Sequence, residues 1–322
     1  MKKSLMIILS VLLILTVAGC AQDSGAPAGE YPTKPVDVIV AYAAGGGTDV
    51  GARLLTSVAE KDFAQPLVIQ NIEGAGGEIG YTELAKADPD GYTIGFINLP
   101  TYVSLPMDRE TQYAVDDLIP IGNHVYDPGV LVVQASSQWE TLEDFIEDAK
   151  ADPGSISVSN NGAGASNHIG AAHFEYEAGI ELIHAPFDGT SNMLAALRGS
   201  HVDASVAKIS EVADLVNGGE LRILASFTEQ RLDEFSEVPT LTEKGFEILF
   251  GSARALMAPK DTPDEIMETL QELFKNAIQS EEHLNKANEA NLPIMYMGPE
   301  ELQRYIENEA VYLQEVKPMI GF

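Results

Sequence analysis

The chain has 322 residues, 49 of them acidic and 19 basic, for a formal charge of −30. Phosphate backbones are gripped by clustered Lys and Arg, so nucleic acid is excluded as a partner. The one cysteine, Cys20, rules out an intramolecular disulfide, and an acid excess this large fits a solvated surface in a saline or alkaline habitat.

Lys2 and Lys3 open the chain, an uncharged apolar run covers 5–17, and Ala18-Gly19 precede Cys20. Residues 1–19 therefore read as a signal peptide, since the run falls short of the about 20 residues a bilayer span takes. Small residues before the cysteine suit a lipoprotein signal peptidase. Cys20 is expected to become the acylated first residue of a lipid-anchored, extracytoplasmic protein, in the periplasm or at the cell surface. Residues 20–30, rich in Gly, Ala and Pro, read as a flexible tether.

From 31 onward, β-rich runs alternate with helical ones. Residues 36–42 form a predicted buried parallel strand, followed by a helix from Thr48 with Val50, Leu54, Leu55 and Val58 as its apolar face. Strands are expected at 67–70 and 92–97, with a helix near 81–86 and a turn at Asp88-Pro89-Asp90-Gly91. Asp127-Pro128-Gly129 punctuates the chain, and a new strand begins at 130–134. The next helix starts at Thr141, with Asp144 placed for a capping box. Strands follow at 156–159, 182–184, 202–206, 221–225 and 253–258, the first four separated by helical segments, and helices close the chain at 263–279, 281–290 and 299–316. This order predicts an α/β, two-lobed architecture. The first lobe takes 31–127 and is completed by 251–322, the second takes 128–250, and a ligand cleft lies between them.

Ala43-Ala44-Gly45-Gly46-Gly47-Thr48-Asp49 sits between a strand and a helix, where glycines let the backbone approach a ligand and the first helical N–H groups favour an anion. A plain strand-to-helix turn accounts for it equally well. Gly46 is expected at positive φ. Two further loops, around Ser166 and around Thr190-Ser191, open helices with hydroxyl and amide side chains, as ligand donors or as ordinary caps. Asp49 is open to three readings: helix-terminal anion, general base, or partner of a ligand amine. His168 and His173 are five apart, the wrong spacing for a helical metal pair.

Six ordered blocks carry a resemblance: 31–36 with Gly45–Asp49 and Ala52-Arg53, Gly74-Ala75-Gly76-Gly77, Pro89-Asp90-Gly91-Tyr92-Thr93, 162–168, Val238-Pro239-Thr240-Leu241 with Gly245-Phe246, and Ala258-Pro259 with Thr262-Pro263. Over essentially the whole mature length the chain resembles the substrate-binding proteins of tripartite tricarboxylate transporters, TctC or the Bordetella uptake gene (Bug) family. The resemblance implies a periplasmic-binding-protein-like fold of type II and a transport role with no catalysis. It also implies a small carboxylated solute gripped by Gly46, Gly47, Thr48, Asp49, Ser166, Gly189, Thr190 and Ser191, and integral membrane transporter subunits as partners. No cofactor or metal is expected, and the protein is expected to be a monomer. A sensor subunit presenting the same ligand to a membrane histidine kinase is the alternative. The sequence departs from the family pattern at Ala44 and at Ser252-Ala253-Arg254, so Arg254 is expected either in the cleft or in a surface ion pair.

Overall fold

A computed structural model describes residues 31–162, 164–187 and 189–320. The predicted signal peptide, the tether with Cys20, and Ala163 and Asp188 of the two second-lobe loops lie outside them. Among the described residues, no helix is long and apolar enough to cross a membrane.

The first series is β1 (Val36–Val40), α1 (Gly47–Ala59), β2 (Leu67–Asn71), α2 (Glu78–Ala85), β3 (Thr93–Leu99) and α3 (Thr101–Asp108). A long strand, β4 (Leu118–Gln134), leads into α4 (Leu142–Ala151), β5 (Ile156–Asn160), α5 (Ser166–Ala178), β6 (Leu182–Pro186), α6 (Thr190–Arg198), β7 (Ala204–Lys208), α7 (Ile209–Asn217) and β8 (Leu221–Ser226). The chain ends with β9 (Gly251–Pro259), α8 (Asp264–Gln279), α9 (Glu281–Glu289), β10 (Ile294–Met297) and α10 (Pro299–Ile320).

β1 lies between β2 and β3 in parallel, and β9 pairs antiparallel with both β3 and the N-terminal part of β4. Strand alternation divides the core. Val36, Val38 and Val40 pack toward α1 and α8, whereas Ile39 and Ala41 face Tyr81 of α2 and the apolar stripe of α10. All nine residues of β9 are buried, as a central strand covered on both faces requires. Each large apolar side chain so enclosed contributes about 1.5–3 kcal/mol relative to exposure.

β4 was expected to begin afresh after Asp127-Pro128-Gly129, but it runs unbroken through them. Its pairing changes there instead: 118–128 face β9, and Gly129–Val133 face β7, with β8 on the other side. Gly129 is needed for contact, not for a turn, because a Cβ there would lie 2.1 Å from the Phe250 ring. β5 pairs in parallel with β6 and β7 to complete the second sheet, whose two faces bury Leu131 and Val133 on one side and Val130 and Val132 on the other. β4 and β9 carry the chain between the two sheets. The result is a mixed α/β fold of two sheets joined through β4 and β9. Tyr312 of α10 reaches across to His173 of α5, with O and Nδ1 2.9 Å apart.

Other expectations also shift. On α1 the buried stripe is Thr48, Ala52, Leu55, Thr56 and Ala59 together with Val58, while Val50 is exposed and Leu54 only half-buried. The capping box of α4 forms as expected: Thr141 Oγ1 accepts from the Asp144 N–H at 3.2 Å, and Asp144 Oδ2 accepts from the Thr141 N–H at 2.9 Å.

Candidate functional site

Three helices of 13, 13 and 9 residues, α1, α5 and α6, point their N-termini into one cavity of about 210 Å³ between the sheets. Their N-cap residues are Gly46, Ala165 and Gly189, and none makes a side-chain cap. A helix start without such a cap leaves N–H donors and the positive end of the helix dipole for a ligand. Three such starts around one space make a setting suited to an anion.

The α1 loop is held from behind. Asp49 Oδ2 accepts from the Gly45 N–H at 2.9 Å and from Arg53 Nε at 3.0 Å, and Asn71 Nδ2 donates to Asp49 Oδ1 at 2.9 Å. Although burial opposes it, the donors on Arg53, Gly45 and Asn71 hold the Asp49 carboxyl below its ordinary range. Gly45, at φ +80°, makes the turn, and Gly46 has an ordinary φ of −77°. The expected positive φ therefore belongs one residue earlier, two residues before α1 begins. Thr48 Oγ1 lies 3.0 Å from Asn98 Nδ2 of β3, which fixes the first turn of α1.

In the second sheet, the Ser166 N–H donates to Thr101 Oγ1 across the cleft at 3.1 Å, and Ser166 Oγ accepts from Lys208 Nζ at 2.7 Å. Thr190 Oγ1 donates to Glu211 Oε1 at 2.9 Å. The floor is charged. Arg254 is 2% exposed, lies on the α1 face of β9, and pairs through Nη2 with Asp127 Oδ2 at 2.5 Å; Glu211 stands 3.9 Å from the same nitrogen. Asp127 also accepts from the Ser210 N–H and hydroxyl. Burial pushes the Asp127 carboxyl above its ordinary range, against the pull of Arg254.

Residues 51–320 match the family described as the tripartite tricarboxylate transporter family receptor. The chain belongs to that family. The tripartite tricarboxylate receptor fold is shared with a TctC solute-binding protein from Polaromonas, 31% identical with a TM-score of 0.70 over 89% of this chain and 99% of that one. R. palustris Rpa4515, solved with adipate, is 26% identical with a TM-score of 0.85 over 91% and 99% of the two chains. In sequence, BugT of Bordetella pertussis is 32% identical over 83% of each chain. This receptor is accordingly a periplasmic solute-binding protein and not an enzyme.

Of the residues carried over from the family, Gly46, Gly47, Thr48, Ser166, Gly189, Thr190 and Ser191 line the cavity of this receptor. Asp49 does not; its carboxylate is turned back into the loop, which removes it as a general base or amine partner. Arg254 lies in the cleft rather than in a surface pair. Sequence reasoning missed Tyr42, Asn98, Thr101, Lys208 and Glu211 on the cavity wall. A lysine closing the predicted 202–206 strand was the available signal for Lys208, because that strand end faces the cleft in open α/β sheets.

Proposed function

We propose that this receptor captures a small carboxylate, a di- or tricarboxylate or related organic acid, between lobes made of 31–127 with 251–322 and of 128–250. It then delivers the solute to integral membrane subunits of a tripartite tricarboxylate-type transporter. The observation that carries this reading is the meeting of three helix N-termini, whose N-cap residues Gly46, Ala165 and Gly189 supply no side-chain cap, in one small cavity. Gly46, Gly47 and Thr48 would grip from one lobe, and Ser166, Gly189, Thr190 and Ser191 from the other. The adipate in R. palustris Rpa4515 supports the ligand class.

A thermal-shift screen of di- and tricarboxylates, aromatic acids and amino acids tests the reading, since a ligand at 100 times its Kd adds about 2.7 kcal/mol of stability. At least one carboxylate should raise the melting temperature. A response confined to uncharged solutes would defeat the proposal. The same account places the receptor on the membrane through acylated Cys20: Cys20→Ser is expected to move it to the soluble fraction with an unchanged melting temperature. Wild-type recovery of that variant with membranes would remove the anchor.

A further inference from the structure

Among the described residues, Lys208 forms no ion pair: its Nζ donates to the neutral hydroxyl of Ser166 at 2.7 Å and lies 5.0 Å from the centre of the Phe250 ring. The residue is 6% exposed, yet it lines the cavity. The nearby carboxylates are already engaged. Asp127 of β4 pairs with Arg254 of β9, and Glu211 of α7 accepts from the Thr190 hydroxyl and the Lys208 N–H. A buried cation with no carboxylate in direct contact is costly, and proteins seldom keep one unless something else supplies the opposite charge at contact distance.

We propose that Lys208 is the charged specificity determinant of this receptor, the counter-ion for one oxyanion end of the ligand, which seats against Lys208 Nζ and Ser166 Oγ. The inference rests on the proposed capture of a carboxylate and adds a charge requirement to it. Helix N-termini and hydroxyls alone would also accept polar neutral groups; a lone ammonium selects for a formal negative charge.

The protonation of Lys208 makes the idea visible without knowing the natural ligand. Burial lowers its pKa to about 8, with Arg254 adding to the fall and Glu211 and Asp127 opposing it. In the unfolded chain the amine titrates near about 10.4. The ligand-free fold therefore carries its full penalty below pH 8 and loses it as the pH rises toward 10. Ligand affinity has the opposite sign, because the anion needs the charged amine, and weakens as the pH passes 8.

The test compares wild type with Lys208→Met, and with Lys208→Gln as a second, polar replacement, using L-malate and adipate as probes beside the carboxylates of the screen. Without ligand, Lys208→Met is expected to melt at or above the wild-type temperature at pH 7, with the difference shrinking toward pH 10. Both variants should bind anionic probes at least about thirtyfold more weakly, as expected for truncating one partner of a buried charge pair. Wild-type affinity should fall between pH 7 and 9.5. Probe affinity within twofold of wild type in folded Lys208→Met would overturn the proposal, as would a clearly lower ligand-free melting temperature, which would mark the charge as structural. If wild type binds no anion of the screen, the proposed capture of a carboxylate fails and this inference fails with it. If wild type binds and the variants bind equally well, only the role of Lys208 fails.

Discussion

Replacing Asp127 with alanine should destabilise the protein by about 3–5 kcal/mol, the usual cost of removing one partner of a fully buried ion pair. Asp127 is 0% exposed and Arg254 2%, and Asp127 is the acceptor at Arg254 Nη2. Among the described residues, Arg254 Nε and Nη1 already have no hydrogen-bond partner, so deletion of Asp127 would strand the guanidinium. Glu211, 3.9 Å away and tied to Thr190, is a poor substitute. For a chain near this size the melting temperature should fall by roughly 10 °C, taking about 2–4 °C per kcal/mol. The double replacement Asp127→Leu with Arg254→Met should recover most of the loss, because it removes both charges together. Chemical denaturation of the single and double variants checks this. Equal losses in Asp127→Ala and the double variant would show that the pair is not the source of the stability.

The second large effect falls on binding. A Cβ at Gly47 would lie 2.7 Å from Arg254 Nη2 and 3.0 Å from Nη1, and Asp127 holds that guanidinium in place. Gly47→Val must displace either Arg254 or the first turn of α1, at about 1–3 kcal/mol of stability. The displaced turn also takes its N–H donors out of line. Each hydrogen bond lost to a charged ligand is worth about 1.5–3 kcal/mol, so affinity should drop roughly 10–100-fold for every donor lost. At Gly46 a Cβ would meet only the Ala43 carbonyl oxygen at 3.4 Å, and Gly46→Ala should cost about 1 kcal/mol or less as a weaker N-cap. Calorimetric titration with the best carboxylate separates the two positions. Equal affinity in folded Gly47→Val would place the ligand away from α1.

Local chemistry was legible in the sequence. The strand, glycine turn and helix at 36–59 follow from backbone rules that act within a few residues, and so does the capping box at Thr141. The loops around Ser166 and Thr190 were legible for the same reason. What remained hidden depends on register across the sheets. Lys208 meets Ser166 only because β7 and β5 are paired neighbours, and Arg254 meets Asp127 only because β9 runs antiparallel to β4. No spacing along the chain encodes those distances. Asp49 was left open in the sequence because a carboxylate after a glycine loop can face either the ligand or its own loop, and Asn71, 22 residues on, decides between them. The helix at Thr101–Asp108 was missed because Pro106 and the absence of an amphipathic repeat disguise it. The four-residue β10 carries too short a pattern to read.

The most direct measurement is the crystal structure of the wild-type protein with the carboxylate that stabilises it most in the screen. The account places one carboxylate group in the cavity, its oxygens within about 2.7–3.2 Å of backbone N–H groups at the starts of α1, α5 and α6. A carboxylate bound outside that cavity, or one held with no N–H donor from any of the three helices, would contradict it.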